Sequence, residues 1–304
     1  MRIEEDTIAI RSSEEQFDSA RVEQYVREHI AGLPEAPMQV RQFPSGASNL
    51  TYLLTIGDWE GVLRRPPLGP IPPRAHDMGR ESGMLSKIHP VFGLAPRPYF
   101  FCDDTSLLGV PFYVMERRKG VVINQSFPAG IKPTVELGRR MSEMVVETLV
   151  GIHGIDWEAA GLGMYGYPEG FLARQVKSWI ERYFRAQTDD IPQVGPLTSW
   201  LADHIPVSPP PALIHNDYKL NNMLLDGDDL AHVVAVLDWE MATIGDPLMD
   251  LAVSLSYWVQ KDDPQELQEV LPVVTTQPGF ISREQFLSCM RARAGAISPR
   301  CIFI

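Results

Sequence analysis

His215, Asp217, Asn222 and Asp238 are the residues of this chain whose types and spacing could do chemistry. They form the pattern H-x-D-x-x-x-x-N, followed by an apolar run that ends at a further aspartate. A carboxylate in the position of Asp217 can take the proton of an acceptor hydroxyl. An amide oxygen and a second carboxylate, those of Asn222 and Asp238, can hold magnesium against a triphosphate. Hard Mg2+ is suited to such oxygen donors, so the chemistry indicated is phosphoryl transfer. In isolation, an Asp/Asn-rich stretch is more often a surface turn, because these side chains hydrogen-bond nearby backbone and tolerate left-handed conformations. Here Leu213 and Ile214 enter the stretch and Met223, Leu224 and Leu225 leave it, so the polar residues sit in a loop pinned between apolar segments.

The positioning elements follow from pattern. The DGDD run at 226–229 is a strong turn signal, and the segment HVVAVL at 232–237 reads as the returning strand of a hairpin. Asn222 would stand just before one strand and Asp238 just after the other. Upstream, 38–43, 50–56 and 59–64 read as strands. Between the first two, Ser45, Gly46, Ser48 and Asn49 form a small-residue loop whose backbone N–H groups could approach a phosphate; a plain hairpin turn would use the same residues. Ser12 and Glu15 have capping-box spacing and are expected to open an amphipathic helix carrying Phe17, Val22, Tyr25, Val26 and Ile30. A proline-rich connector at 66–73 leads to a predicted helix over 75–88 that carries Glu81. After a break at Pro96 and Pro98, a strand over 109–115 ends at Met115, and the polar run from Glu116 to Gly120 reads as a crossing. Helices are predicted over 135–152, over 171–186 with Trp179 and Tyr183 on one face, and over 283–294 behind Ser282. A strand-rich first part and a helical remainder around one hairpin make an α+β chain in two lobes, 1–115 and 116–304.

Composition narrows the function class. With 304 residues, 44% of them apolar, the chain can bury one large core or two modest ones. Its 39 acidic against 27 basic residues, a formal charge of -12, argue against nonspecific nucleic-acid binding and against an anionic membrane surface. Cys102, Cys289 and Cys301 have no metal-binding spacing and read as reduced packing residues. The polar, acidic start is unlike a signal peptide, and no apolar run reaches transmembrane length. A cytoplasmic, soluble protein is the expectation. The chain stops soon after the helix over 283–294, with the apolar end Cys301 to Ile304. Apolar faces around 251–259 and 286–290 are therefore expected to lie partly uncovered, which would favour a homodimer.

With these residues in view, the chain resembles the aminoglycoside phosphotransferase and choline kinase family, a branch of the protein-kinase-like fold. It is more similar still to the kinase-like domain carried by some acyl-CoA dehydrogenases and to that domain's free-standing bacterial relatives. The resembling blocks are SGASNLT at 45–51, VLRRPP at 62–67, Glu81 in its helix, IHGIDW at 152–157 and RQVKSW at 174–179. To these are added the catalytic loop and LDWEMATIGDPLMD at 237–250. The resemblance implies a small β-rich N-lobe that binds nucleotide and a larger helical C-lobe that receives the acceptor. It makes Asp217 the base, Asn222 and Asp238 the Mg2+ ligands, and His215 a brace of the loop. Ser45, Gly46, Ser48, Asn49, Val62, Arg64, Glu81, Met115 and Glu116 become the nucleotide-binding set. Arg64 stands where the family often has a third-strand lysine, with Val62 on the same face as an adenine ceiling and Glu81 as the partner of Arg64. An arginine offers a planar fork in place of a point charge. Asp250 matches an aspartate that braces the loop, or alternatively a helix N-terminal acid. The implied cosubstrate is ATP, with GTP as the alternative, and the partner is a small-molecule hydroxyl acceptor: a hydroxyacyl-CoA-type metabolite, an aminoglycoside, choline or a sugar. A catalytically silent nucleotide-binding module is the competing reading.

Overall fold

The computed structural model describes residues 7–44, 49–69 and 76–297, with 294–297 described by backbone alone. Ser45, Gly46 and Ser48 of the expected phosphate loop, residues 70–73 of the proline-rich connector and the apolar end from Cys301 lie outside the described residues.

Five strands form an antiparallel sheet in the order β1-β2-β3-β5-β4. They are β1 (Gln39–Gln42), β2 (Leu50–Ile56), β3 (Trp59–Arg65), β4 (Pro98–Cys102) and β5 (Phe112–Glu116). Alternation in β2 sends Leu50, Tyr52, Leu54 and Ile56 into one core, where they join Leu63, Phe112 and Val114. Val22 and Val26 of helix α1 (Ser19–His29) close that core. The register pairs Val62 with Met115 and Arg64 with Tyr113, so these four side chains share the opposite face. Helix α2 (Met78–Ile88) packs on β4 and β5 and buries Glu81, Met84, Leu85 and Ile88.

Two local expectations are corrected. Ser12 accepts a hydrogen bond from the Glu15 amide as a capping box would, but it closes a single 3-10 turn at Ser13–Glu15. Gln16 is extended, and the amphipathic helix starts afresh at Asp18, whose carboxylate accepts from the amides of Ala20 and Arg21. The prolines at 96 and 98 do not merely break the chain: Pro98 opens β4. That strand lies at the sheet edge, where a missing N–H is tolerated.

The remaining elements are α3 (Thr105–Leu108), α4 (Val135–His153), α5 (Phe171–Ala186), α6 (Val194–Asp203), β6 (Ala212–Ile214), β7 (Met223–Leu225), β8 (Val233–Val236), β9 (Thr243–Gly245), α7 (Pro247–Ser256), α8 (Gln265–Val270) and α9 (Arg283–Ile297). Strands β7 and β8 make the expected hairpin, and β6 pairs with β9. The chain is α+β. It divides into two compact units, one of Met1–Val145, Lys219–Met241 and Val259–Ile281, the other of Val146–Tyr218, Ala242–Trp258 and Ser282–Ile304. The five-stranded sheet ends with β5 at Glu116, and the first unit continues beyond it and takes in the β7–β8 hairpin.

The expectation of uncovered apolar faces near the chain end is overturned. Leu251, Trp258, Val259, Phe286 and Met290 are all buried. Trp258 meets Phe286 edge to face at 5.0 Å between ring centroids, and Gln285 closes a capping box with Ser282 that starts α9. Exposed apolar side chains lie instead on α5 and α6, among them Trp179, Phe184, Leu197 and Trp200. No helix among the described residues is long and apolar enough to cross a membrane.

Candidate active site

Within the sheet-containing unit, one group of candidate residues is organised by Arg64. Its Nη1 donates to Glu81 Oε1 at 2.9 Å and its Nη2 to Asp238 Oδ1 at 2.9 Å. The planar guanidinium thus bridges two carboxylates, which a lysine's single ammonium could do only as a point charge. The expected Arg64–Glu81 pair is present, and strand alternation places it correctly. Arg65 faces the other way and is buried, its guanidinium 5.9 Å from the centre of the Tyr52 ring. Burial alone would depress the ionisation of Arg64, but the fields of Glu81, Tyr113 and Asp238 outweigh it and hold the guanidinium well above its ordinary value. Burial pushes the Glu81 carboxyl up from 4.5 to about 7 against the pull of Arg64, with Asp238 and Glu240 adding to the rise.

This rise has a sign that can be tested. Between pH 4.5 and about 7, folded Glu81 keeps a proton that the unfolded chain has released. Folding then takes up a proton, so stability is fully present below 4.5 and falls as pH rises through about 7. Denaturant melts of the wild type and Glu81→Gln across this window should differ by a pH-dependent term of roughly 3 kcal/mol, the linkage value of the shift. Parallel stability profiles for the two proteins would refute it.

The hairpin delivers the metal-ligand candidates. The Leu237 amide donates to the Asn222 carbonyl at 2.8 Å, one step beyond the ladder that pairs Met223 with Val236. Asn222 therefore stands beside the residue that precedes Asp238. Asp238 itself adopts φ 67°, a left-handed conformation uncommon outside glycine, and Trp239 behind it is buried with its Nε1 donating to the Val236 carbonyl at 2.9 Å. An amide oxygen and a carboxylate are a hard oxygen donor set of the kind that holds Mg2+ when phosphates supply the other ligands. Among the described residues there is no group of three or more His, Cys, Asp or Glu side chains that could hold a metal ion.

Within the second unit, a separate group of candidate residues is built on Asp250. This carboxylate is fully buried and accepts from the His215 amide at 2.9 Å, the Asn216 amide at 2.7 Å and His153 Nε2 at 2.9 Å. Burial would raise its pKa, but the hydrogen bond from His153 and the fields of His153 and His215 outweigh it and hold it below the usual carboxylate range. Asn216 takes φ 63°, and the Asp217 amide then donates to His215 Nδ1 at 3.3 Å. His215 is fully buried beside the Asp217 amide, and Asp250 both lies in the first turn of α7 and accepts from the amides of the loop that carries Asp217. The sequence carried a signal for His153 in the block at 152–157, without a role.

Two members of the expected nucleotide-binding set are held by the protein. The Glu116 carboxylate accepts from the Arg97 amide and from Arg118 Nε, both at 2.8 Å, and the Glu116 amide donates to the Arg97 carbonyl. The Asn49 carboxamide bonds Glu240 and His76. Val62 and Met115 are buried as a cross-strand pair on the Arg64 face.

This fold, with a bridged strand arginine and a braced H-x-D loop, is that of protein-kinase-like phosphotransferases. The model of the phosphotransferase enzyme family matches residues 39–271, and the chain belongs to that family. Acyl-CoA dehydrogenase family member 11 of Gallus gallus is 34% identical over 262 residues, which cover 85% of this chain and 33% of that protein. The chain thus spans about a third of the length of the curated relatives it matches. Among solved structures, a Ralstonia eutropha protein assigned to the aminoglycoside phosphotransferases superposes with TM-score 0.76 at 27% identity, over 92% of this chain and 81% of that one. A thermostable mutant of aminoglycoside phosphotransferase APH(4)-Ia, solved with ADP and hygromycin B, gives TM-score 0.56 over 92% and 85% of the two chains. At 18% identity that likeness concerns the fold alone.

Proposed function

We propose that this protein is a cytoplasmic, ATP- and Mg2+-dependent phosphotransferase that moves the γ-phosphate to a hydroxyl of a small metabolite. The observation that carries the reading is the Arg64 bridge from Glu81 to Asp238, because it ties a strand cation, a helix carboxylate and a metal-ligand candidate into one unit. In this reading Asp217 orients the acceptor hydroxyl and takes its proton. Arg64 neutralises charge on the nucleotide phosphates while Glu81 keeps its fork oriented. Asn222 and Asp238 would hold Mg2+, which when bound offsets charge developing on the transferred group. The ADP in the APH(4)-Ia structure supports an adenine nucleotide as donor.

For the acceptor we favour a hydroxyacyl-CoA-type metabolite over an aminoglycoside, choline or a sugar. The relatives are acyl-CoA dehydrogenase family proteins, and α5 supports an anionic amphiphile. It carries Arg174, Lys177, Arg182 and Arg185 in a chain of net charge -12, beside exposed Trp179 and Phe184. One observation favours the rival reading of a silent nucleotide-binding module: Asp238 Oδ1 is already engaged by Arg64.

A thermal-shift screen with Mg-ATP, Mg-GTP and hydroxylated acyl-CoA, aminoglycoside, choline and sugar panels tests the proposal, followed by turnover of the hits. A ligand at 100 times its Kd stabilises by about 2.7 kcal/mol, so Mg-ATP should raise the melting midpoint by several degrees. A shift with nucleotide but phosphate transfer to no acceptor would favour the silent module, and no shift with any nucleotide would refute both.

A further inference from the structure

We infer that Asn49, His76 and Glu240 form a positioning triad for the turn that carries Asp238, an assignment that rests on the phosphotransferase reading above. Glu240 lies two residues beyond Asp238 in the chain. Its Oε2 accepts from Asn49 Nδ2 at 2.7 Å, and Asn49 Oδ1 lies 2.9 Å from His76 Nδ1. The Asn49 amide nitrogen faces Glu240 and its oxygen faces His76 Nδ1, which itself lies 3.5 Å from Glu240 Oε2. The three side chains therefore close on one another, with the carboxamide bridging carboxylate and imidazole. Asn49 is 3% exposed, so its carboxamide has no solvent to replace a lost partner.

Backbone conformation singles out the same residues. Among the described residues, the non-glycine positions with left-handed φ are His76 at 55°, Asn216 at 63° and Asp238 at 67°. Such conformations persist where surrounding contacts over-determine them, and they gather at functional sites. Asn216 belongs to the loop of Asp217, and Asp238 is a metal-ligand candidate. His76 is the third, and its imidazole meets both Asn49 and Glu240.

The triad and Arg64 are two straps on one turn. Arg64 reaches Asp238 from β3, opposite Thr51 in register, and Asn49 reaches Glu240 from just before β2. Arg80 of α2 adds a bond from its Nη1 to the Glu240 carbonyl at 3.5 Å, and Trp239 between the straps is buried against Phe92. A carboxylate that binds metal gains affinity when its supporting shell holds it in place before the metal arrives. The Asn49 carboxamide, expected from sequence to serve the nucleotide, serves it by holding the ligand's turn.

The test measures Mg2+ dependence of ATP-analogue binding by calorimetry for wild type, Asn49→Ala, His76→Ala, Glu240→Ala and Glu240→Gln, with nucleotide-free melting recorded for each. Loss of outer-shell support typically weakens metal binding ~10- to 100-fold. Asn49→Ala and Glu240→Ala should raise half-saturating Mg2+ by at least about tenfold on that scale. His76→Ala should shift it in the same direction by less. Glu240→Gln should recover most of the loss, since its carboxamide oxygen still accepts from Asn49. In turnover assays the loss should fall more on KM for Mg-nucleotide than on kcat. If the wild type binds Mg-nucleotide and the folded variants bind it equally well, the triad is refuted and the phosphotransferase reading stands. If Glu240→Gln is as impaired as Glu240→Ala, the hydrogen-bonded chain is refuted as the cause. If the wild type binds no Mg-nucleotide, the phosphotransferase reading falls, and the triad with it.

Discussion

Replacing Asp217 by asparagine should lower turnover by ~10^2- to 10^4-fold, the range found when a general base is removed. Mg-nucleotide affinity should stay close to that of the wild type. The substitution keeps the size of the side chain and removes only its capacity to accept a proton. The loop itself is held by other groups: the amides of His215 and Asn216 are on Asp250, and the Asp217 amide is on His215 Nδ1. Folding should therefore be preserved, which makes the rate loss interpretable as chemistry. Single-turnover phosphate transfer paired with nucleotide calorimetry separates the outcomes. An Asp217→Asn protein that transfers phosphate at the wild-type rate would remove Asp217 from the mechanism.

Asp250→Ala should produce the largest loss of stability, about 3–5 kcal/mol by analogy with the breaking of a buried charged network. Two backbone amides and the His153 Nε2–H would lose their shared acceptor at a fully buried position. Asp250→Asn should be milder, because one amide oxygen can still serve part of that set. The pH dependence has a definite sign. The folded pKa of Asp250 lies below its ordinary 3.8, so the contribution is present above pH 3.8 and is lost as pH falls through the lower folded value. Urea melts near neutral pH give the magnitude, and a loss below about 1 kcal/mol, the scale of a single ordinary hydrogen bond, would show that Asp250 does not hold the loop.

Much of this site was legible because the relevant rules act over short chain distances. Strand alternation put Val62 and Arg64 on one face and Arg65 on the other, and the structure keeps that register. The turn at 226–229 and the apolar runs on either side defined the β7–β8 hairpin, and the hairpin sets Asn222 beside the approach to Asp238. Local rules failed where two starting signals stood close together. Ser12 and Asp18 both cap, and Phe17 between them packs edge to face on Tyr52 at 5.3 Å between centroids, a contact from outside the local sequence. The expectation of bare apolar faces around 251–259 and 286–290 failed for a related reason. Which faces remain uncovered depends on packing between distant segments.

By itself the sequence determined the order of strands and helices and the side chains that the proposed chemistry would use. These follow from side-chain periodicity, turn composition and the spacing of Asp217, Asn222 and Asp238, all of which are properties of neighbouring residues. The tertiary structure alone decided how those side chains are engaged. Arg64 meets Asp238 across 174 positions, Asn49 meets Glu240 across 191, and His153 meets Asp250 across 97. No local rule specifies such pairings, because a buried polar group is satisfied by whichever partner the packed core brings within 3 Å or so. That selection ties the Asn49 side chain to Glu240 and His76, and the Asp250 carboxylate to the amides of the loop that carries Asp217.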